Sequence, residues 1–264
     1  MSQYQFQQAP IDEFRDAKEL YLANLEAPLD GMWESGFIPL ADHYQVSLNG
    51  EVVGYLIVND DGYLLQFDAP DHQRSAFASA VESLGLKGAF VSTAEQIYLE
   101  VAKEHEKSSS TNALMYGEFS PLKSMLPFDP GARFINITLN GLEMVIHFAH
   151  KTLGANIEWL RGYYTLLINR SELYGLYLNG VLIGTGECRV SETQKPYADV
   201  GVIVSKEYRS KGNATKILKT LRQHCHKNKL IPICSTEVDN KAARKAIENA
   251  GFKSNNKIEQ INFI

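Results

Sequence analysis

No run of 18 or more apolar residues occurs in the 264-residue chain, so no segment reads as a membrane-spanning helix. No long stretch is strongly basic. Lys and Arg number 26 against 31 Asp and Glu, a formal net charge of -5, and the pI is about 5.8. A general nucleic-acid footprint is therefore not expected, only a local basic patch at most. Cysteine is scarce: Cys188, Cys225 and Cys234 are odd in number and lack metal-ligand spacing. They give no disulfide framework and point to a reducing compartment. The opening MSQYQFQQAP lacks the basic-then-apolar order of a signal peptide. The expected location is the cytoplasm, and the sequons at Asn136 and Asn169 then carry no meaning.

Histidine offers no metal site either. His224 and His226 are two apart and cannot share a helix face. His147 and His150 are three apart and can, but no third ligand accompanies them. No metal is expected.

What is present is an ordinary globular mixture, 44% apolar and 22% charged, long enough for one large domain or two of common size. Two hairpin signals stand 130 positions apart. Tyr44 to Leu48, the pair Asn49-Gly50, then Glu51 to Gly54 match Tyr174 to Leu178, Asn179-Gly180, then Val181 to Gly184. Each is strand, Asn-Gly turn, strand. The elements after each hairpin match too. In the first half the pattern predicts a strand over 63–67, a helix over 73–84, a strand over 88–92 and a helix over 94–106. In the second half it predicts a strand over 198–204, a helix over 213–229, a strand over 231–236 and a helix over 241–250. A duplicated unit is the preferred reading. Lys107 to Thr111 reads as a loop, Asn112 to Phe119 as a last strand of the first unit, and Phe128-Asp129-Pro130-Gly131 as a turn. Helices are expected over 142–153 and 157–168. The domains are expected at 1–120 and 130–264, joined between Glu106 and Arg133.

The two halves differ at the turn after the central strand. The second half has Tyr208-Arg209-Ser210-Lys211-Gly212-Asn213-Ala214. A basic, glycine-containing turn that opens a helix is a candidate phosphate site, because free amides at a helix start bind anionic oxygens. Gly212 suits either close approach of a ligand or a positive φ. In the helix after this turn, Ala214, Ile217, Leu218, Leu221 and Cys225 form the apolar stripe. Lys216, Lys219, Arg222 and Lys227 fall largely outside it. The first half has Asp68-Ala69-Pro70-Asp71-His72-Gln73-Arg74 instead, with no glycine and two acids of the wrong sign for a phosphate. It is not expected to hold a phosphate ligand in the same way.

Residues 174–252 resemble the GNAT superfamily of acyl-CoA-dependent N-acetyltransferases. Arg209-Ser210-Lys211-Gly212-Asn213-Ala214 fits that family's phosphate loop, Gln/Arg-x-x-Gly-x-Gly/Ala, between a strand and a helix. Asn240-Lys241-Ala242-Ala243, leading to Gly251-Phe252, fits its second element. The first half looks like a degenerate copy, as in tandem members. The resemblance implies an α/β (α+β) fold of two tandem GNAT-like domains. Each would be a mixed, mostly antiparallel sheet flanked by helices, with central strands splayed to admit a pantetheine arm. It implies that the main chain of Val202, Ile203 and Val204 pairs with that arm. The amides of Arg209, Ser210, Lys211, Gly212, Asn213 and Ala214 would hold the pyrophosphate, and Asn240 would lie beside the thioester end. The implied cofactor is acetyl-CoA. The implied reaction is direct attack of a primary amine on the thioester.

Such a reaction needs a proton acceptor for the ammonium and a donor for the thioester oxygen. Glu187, in a strand interior beside the cofactor strand, is a candidate base or acceptor-amine ligand; the alternative is an exposed residue paired with Arg189. Asp199 can order a water or simply begin its strand. Glu237 stands at the strand end where α/β sites gather, or at a surface cap. Tyr163, Tyr164, Tyr174, Tyr177 and Trp159 either line an acceptor pocket or pack the core. The family's usual tyrosine acid is replaced by Ile247, which reads as part of a core stripe with Ala243 and Ala250. Either another group serves as the acid, such as a neighbouring hydroxyl or water, or the thiolate leaves unprotonated, since a thiol pKa is only about 8.5. The expected partner is a small-molecule amine or peptide acceptor, with a weak lean to a cationic one, and a monomer is expected. The alternatives are a non-catalytic acyl-CoA-binding regulator or scaffold, and an interaction module without cofactor.

Overall fold

A computed structural model describes residues 4–121 and 127–264. Its elements run β1 (Tyr4–Gln8), α1 (Arg15–Ala23), β2 (Asp42–Leu48), β3 (Glu51–Val58), β4 (Tyr63–Asp68), α2 (Gln73–Leu84), β5 (Gly88–Ser92), α3 (Gln96–Glu104) and β6 (Ser108–Glu118). They continue as β7 (Ala132–Asn136), α4 (Leu142–Leu153), α5 (Ile157–Asn169), β8 (Leu173–Leu178), β9 (Val181–Val190), β10 (Tyr197–Val204), α6 (Asn213–Lys227), β11 (Ile231–Glu237), α7 (Lys241–Asn249) and β12 (Phe252–Asn262). The chain forms two compact units. One is Met1–Met115 with Ser254–Ile264, the other Tyr116–Lys253. Of the expected join, residues 122–126 lie outside the described residues.

Both hairpins form where the Asn-Gly pairs stand. Asn49 and Gly50 have φ of 52° and 87°, Asn179 and Gly180 of 50° and 84°. Two successive positive φ values match the strand twist and are what selects Asn-Gly. Each hairpin also carries a bulge, between Val46 and Ser47 in one and between Leu176 and Tyr177 in the other. The bulges fall at corresponding positions, an agreement that the turn residues alone do not require.

In the N-terminal unit the strand order is β1-β2-β3-β4-β5-β12-β6, and only β4 and β5 are parallel among the pairs with a described register. Its core gathers Leu56, Phe67, Phe77, Tyr98, Val101 and Ile261. The last strand closes this sheet: Ile258–Asn262 pairs antiparallel with Gly88–Ser92. That strand also overturns the expected loop at 107–111. Ser108–Thr111 begins β6, with Lys107 N–H bonded to Asn262 O at 2.9 Å and Asn262 Nδ2 to Ser108 Oγ at 3.1 Å. A serine-rich stretch has weak strand preference alone, and tertiary pairing decides it.

In the C-terminal unit the order is β11-β10-β9-β8-β7, with β10 and β11 parallel. Helices α4 and α5 bury Val145, Ile146, Leu160, Tyr164 and Leu167 with Leu173 of β8. Helix α6 buries Ile217, Leu218, Leu221 and Cys225, while Ala214 is half-buried. Arg222 departs from the expectation that it faces solvent: it is 2% exposed. Its Nε donates to Glu118 Oε1 at 2.7 Å, Nη2 to Ser120 O at 2.8 Å, and Nη1 to Ala250 O. A buried guanidinium persists because its donors are matched by one carboxylate and two carbonyls.

Candidate active site

Strands β10 and β11 pair only over Tyr197–Asp199 against Ile231–Ile233, then both run on, to Val204 and Glu237. On its other side β10 stays paired with β9 from Ala198 to Val204. The β11-facing edge of Val202, Ile203 and Val204 is therefore where the two strands have diverged. A strand edge without a neighbour offers main-chain donors and acceptors to an extended ligand.

Directly after Val204 the chain makes a short helical turn, Lys206–Tyr208, then reaches Ser210 at φ 60° and Gly212 at φ 79°. A side chain at Gly212 would meet nothing within 4 Å. Of the two reasons for glycine, positive φ applies and internal crowding does not. The open space lies at the N-terminus of α6, which starts at Asn213 with Gly212 as cap residue and no side-chain cap. Helices α1, α2, α3 and α4 likewise start without a side-chain cap, whereas α5 and α7 have one. Asn156 caps α5 by accepting from Trp159 N–H at 3.0 Å, and Asn240 caps α7 by accepting from Ala243 N–H at 3.1 Å. The first amides of α6 have no side-chain cap acceptor. Asn213 holds the loop in shape: it is buried, and its Nδ2 donates to Tyr208 O at 3.1 Å. Arg209 Nε donates to Val204 O at 3.0 Å, and the Lys211 ammonium lies 5.0 Å from the centre of the Tyr208 ring.

Two of the three expected acids meet at one place. Register puts Arg189 opposite Asp199 and Glu187 opposite Gly201, so all four positions share one sheet face. Glu187 and Asp199 are 6% and 3% exposed. Arg189 Nη2 bonds Asp199 Oδ1 at 2.6 Å, and its Nη1 pairs with Glu187 Oε2. Gly201 makes the arrangement possible, because a Cβ there would stand 3.1 Å from Arg189 Nη1 and 3.4 Å from Glu187 Oε2. From α5, Tyr163 donates to Glu187 Oε2 at 2.7 Å and accepts from Arg189 Nη1 at 3.0 Å. Burial and the Glu187 charge push the Tyr163 hydroxyl well above its ordinary pKa, so it remains a donor. Trp159 stacks on Tyr163, ring centres 4.8 Å apart and planes 14° apart. The cluster thus joins two carboxylates, one guanidinium, one phenol and an indole that is 37% exposed.

The remaining candidates separate from it. Glu237 is exposed at the end of β11, and its carbonyl accepts from Asn240 N–H at 3.1 Å. Tyr164 is core, 1% exposed. Tyr174 stacks on Phe134, with its hydroxyl 3.4 Å from His224 Nε2. Ile247 is buried, as a core stripe requires. Cys188 and Cys225 lie with their sulfurs 3.5 Å apart inside the unit. No group of three or more His, Cys, Asp or Glu side chains able to hold a metal occurs among the described residues. Two features escape sequence reasoning. Arg189 reads there only as a neutralising partner of Glu187, although its place opposite Asp199 obeys the same strand alternation. The acids of the N-terminal unit, Asp30, Glu34 and Glu95, carry no sequence signal that groups them.

The N-terminal unit has the same strand divergence, since β4 and β5 pair only at Tyr63–Leu64 and Gly88–Ala89. There Tyr98 of α3 donates to Leu64 O at 3.0 Å, at the last paired position before the divergence. At the helix start Gln73 Nε2 bonds Asp68 Oδ1 at 3.1 Å, and Tyr4 OH lies 2.7 Å from Ser75 Oγ. Helix α2, like α6, starts without a side-chain cap.

Comparison with known proteins agrees with this geometry. Residues 10–119 match the model of an acetyltransferase (GNAT) domain, and residues 142–252 that of the acetyltransferase (GNAT) family. An acetyltransferase of the GNAT family from Colwellia psychrerythraea is 36% identical, with a TM-score of 0.91 over 98% of this chain and all of that one. A tandem GNAT protein from the clavulanic acid biosynthesis pathway shares the fold at 16% identity, with a TM-score of 0.70 and 98% of each chain covered. So does a GCN5-related N-acetyltransferase from Sphaerobacter thermophilus, at 11% identity and a TM-score of 0.69, over 97% of this chain and 94% of that one. No curated protein matches the chain.

Proposed function

Because the chain belongs to the GNAT acetyltransferase family, with two such domains in tandem, we propose that its C-terminal domain transfers the acetyl group of acetyl-CoA to a primary amine. The observation that carries this reading is the uncapped start of α6 behind the left-handed Gly212, directly after the edge where β10 parts from β11. When bound, acetyl-CoA supplies an acyl group already activated as a thioester. The amides of Arg209 to Ala214 hold its pyrophosphate, with Arg209 and Lys211 at the rim. The main chain of Val202, Ile203 and Val204 would pair with the pantetheine arm, and Asn240, whose oxygen caps α7, would lie beside the thioester end.

Glu187 holds the acceptor. The described contacts of its carboxylate, from Tyr163 and Arg189, go to Oε2, which leaves Oε1 to an ammonium group. Arg189 pairs with both Glu187 and Asp199, so two carboxylates share one guanidinium. As the amine approaches the thioester, its proton passes to Glu187 or to a water that Asp199 orders. An ammonium acceptor gives up two protons in becoming an amide: the first passes to Glu187 or that water, and, since the buried Ile247 offers no hydroxyl, the second would pass through another hydroxyl or a water to the thiol as the C–S bond breaks. Glu237 takes no part in this scheme.

The chain's length matches its GNAT relatives and no helix among the described residues is long and apolar enough to cross a membrane. The acceptor is a small amine or a peptide amine in the cytoplasm, and the protein acts as a monomer. Titration calorimetry with acetyl-CoA and CoA tests the cofactor, and thiol release on adding amines tests turnover. Micromolar binding at one site with thiol release supports the reading. Binding without release for any amine favours an acyl-CoA-binding regulator, a role consistent with Ile247. No binding by the folded chain overturns both.

A further inference from the structure

At the acid cluster of the C-terminal unit, polar atoms of Tyr163, Glu187 and Arg189 close a triangle. Tyr163 OH donates to Glu187 Oε2 at 2.7 Å, and Arg189 Nη1 donates both to the Tyr163 oxygen, at 3.0 Å, and to Glu187 Oε2. This arrangement fixes the direction of the phenol proton. The Arg189 N–H occupies a lone pair of the hydroxyl, and the hydroxyl's single proton goes to the carboxylate. Glu187 Oε2 therefore accepts from two donors, and Oε1 takes neither of these bonds. A carboxylate turned in this way meets a further N–H, or a proton, at Oε1.

The two donors come from different elements. Arg189 lies on the same strand as Glu187 and ties it to Asp199 within the sheet, through Nη2 at 2.6 Å from Asp199 Oδ1. Tyr163 ties the same carboxylate to helix α5, and its ring has little freedom. Trp159 stacks on it with ring centres 4.8 Å apart, and the ring of the buried Tyr164 lies 5.5 Å away. A side chain locked by packing passes its rigidity to the group that it bonds. We propose that Tyr163 is a positioning residue for acyl transfer, acting through Glu187 by holding Oε2 so that Oε1 meets the incoming amine. This role rests on the reading of Glu187 as ligand of the acceptor amine and as proton acceptor.

Thiol release from acetyl-CoA is followed with propylamine, 1,4-diaminobutane and a lysine-containing peptide, in the parent chain, Tyr163→Phe, Glu187→Gln and the double variant. Phenylalanine keeps the ring and its stack on Trp159 and removes only the hydroxyl. With the best of these acceptors, Tyr163→Phe is expected to lower kcat about tenfold or more, the scale of one lost hydrogen bond to a charged group. Acetyl-CoA affinity by calorimetry is expected to stay within about twofold of the parent. In the Glu187→Gln background the same change is expected to lower kcat less than about twofold, since a residue that acts through Glu187 has nothing left to act on. Equal losses in both backgrounds mark a merely structural hydroxyl and overturn the proposal. So does an unaltered kcat in Tyr163→Phe, or a Tyr163→Phe chain that does not fold by circular dichroism. Turnover unaltered by Glu187→Gln, or no thiol release by the parent with any of these amines, removes the reading of Glu187 and the proposal with it.

Discussion

Arg189 joins Glu187 and Asp199, pairing with the first through Nη1 and with the second at 2.6 Å through Nη2. One guanidinium therefore fixes the direction of both carboxylates, and the Glu187 position depends on its charge as well as its length. Glu187→Gln is expected to lower turnover about 100-fold, the scale of a lost proton acceptor, with CoA affinity changed less than about twofold because the phosphate cradle is untouched. Steady-state kinetics beside calorimetry checks this. Equal losses in both, or unaltered turnover, would remove Glu187 from the reaction.

Gly212 separates conformation from contact. Its φ of 79° is strained for any residue with a side chain, yet a side chain there meets nothing in the protein. Gly212→Ala is expected to cost about 1–2 kcal/mol of folding stability through the left-handed backbone alone. Gly212→Glu is expected to fold and to lose CoA binding, because a carboxylate would stand among the phosphates. Chemical denaturation gives the first number and calorimetry the second. Undiminished CoA affinity in folded Gly212→Glu would move the phosphate site elsewhere.

Local signals carried much of the fold. The Asn-Gly turns, the alternation in β10 and the apolar stripe of α6 depend on neighbours in sequence, and each element formed where its pattern stood. The failures have a common cause in partners remote along the chain. Arg222 looks like one more solvated base on a basic helix until Glu118 and the carbonyls of Ser120 and Ala250 surround it. Ser108–Thr111 looks like a loop until Asn262 pairs beside it. At the site, Glu187 and Asp199 stood out only as separate candidates, and the strand register that brings them together around Arg189 appears in the fold. Tyr163 could not be told from core Tyr164, since both sit on one apolar helix and only packing separates them.

The Arg222 network predicts a large stability effect far from the acyl-transfer cluster. Arg222→Met keeps the apolar stem but leaves the Glu118 carboxylate, which is 25% exposed, with His226 as its described partner and takes the guanidinium from two carbonyls. Breaking a buried pair by removing one partner costs roughly 3–5 kcal/mol, and partial exposure of Glu118 places the expectation at the low end, about 3 kcal/mol. Urea unfolding of the variant measures it. A loss under about 1 kcal/mol would mean that water replaces the guanidinium without penalty.

Glu95 makes the N-terminal unit sensitive to pH. Burial raises its pKa from 4.5 to about 7, against the opposing bonds from Tyr21 and Ser92. The neighbouring Glu34 is raised in the same direction by burial, opposed by Lys18. A folded-state pKa above the unfolded value means that the native state binds the proton more tightly. The stabilisation is therefore complete below about pH 4.5 and is lost as pH rises through about 7. Over that window the contribution is on the order of 3 kcal/mol. Glu95→Gln, which cannot ionise but still accepts from Ser92 N–H or Tyr21 OH, should gain stability relative to the parent chain between pH 5 and pH 8. Denaturation curves at both pH values compare the two proteins. A pH-independent difference would show that Glu95 is already neutral, or already compensated, throughout the range.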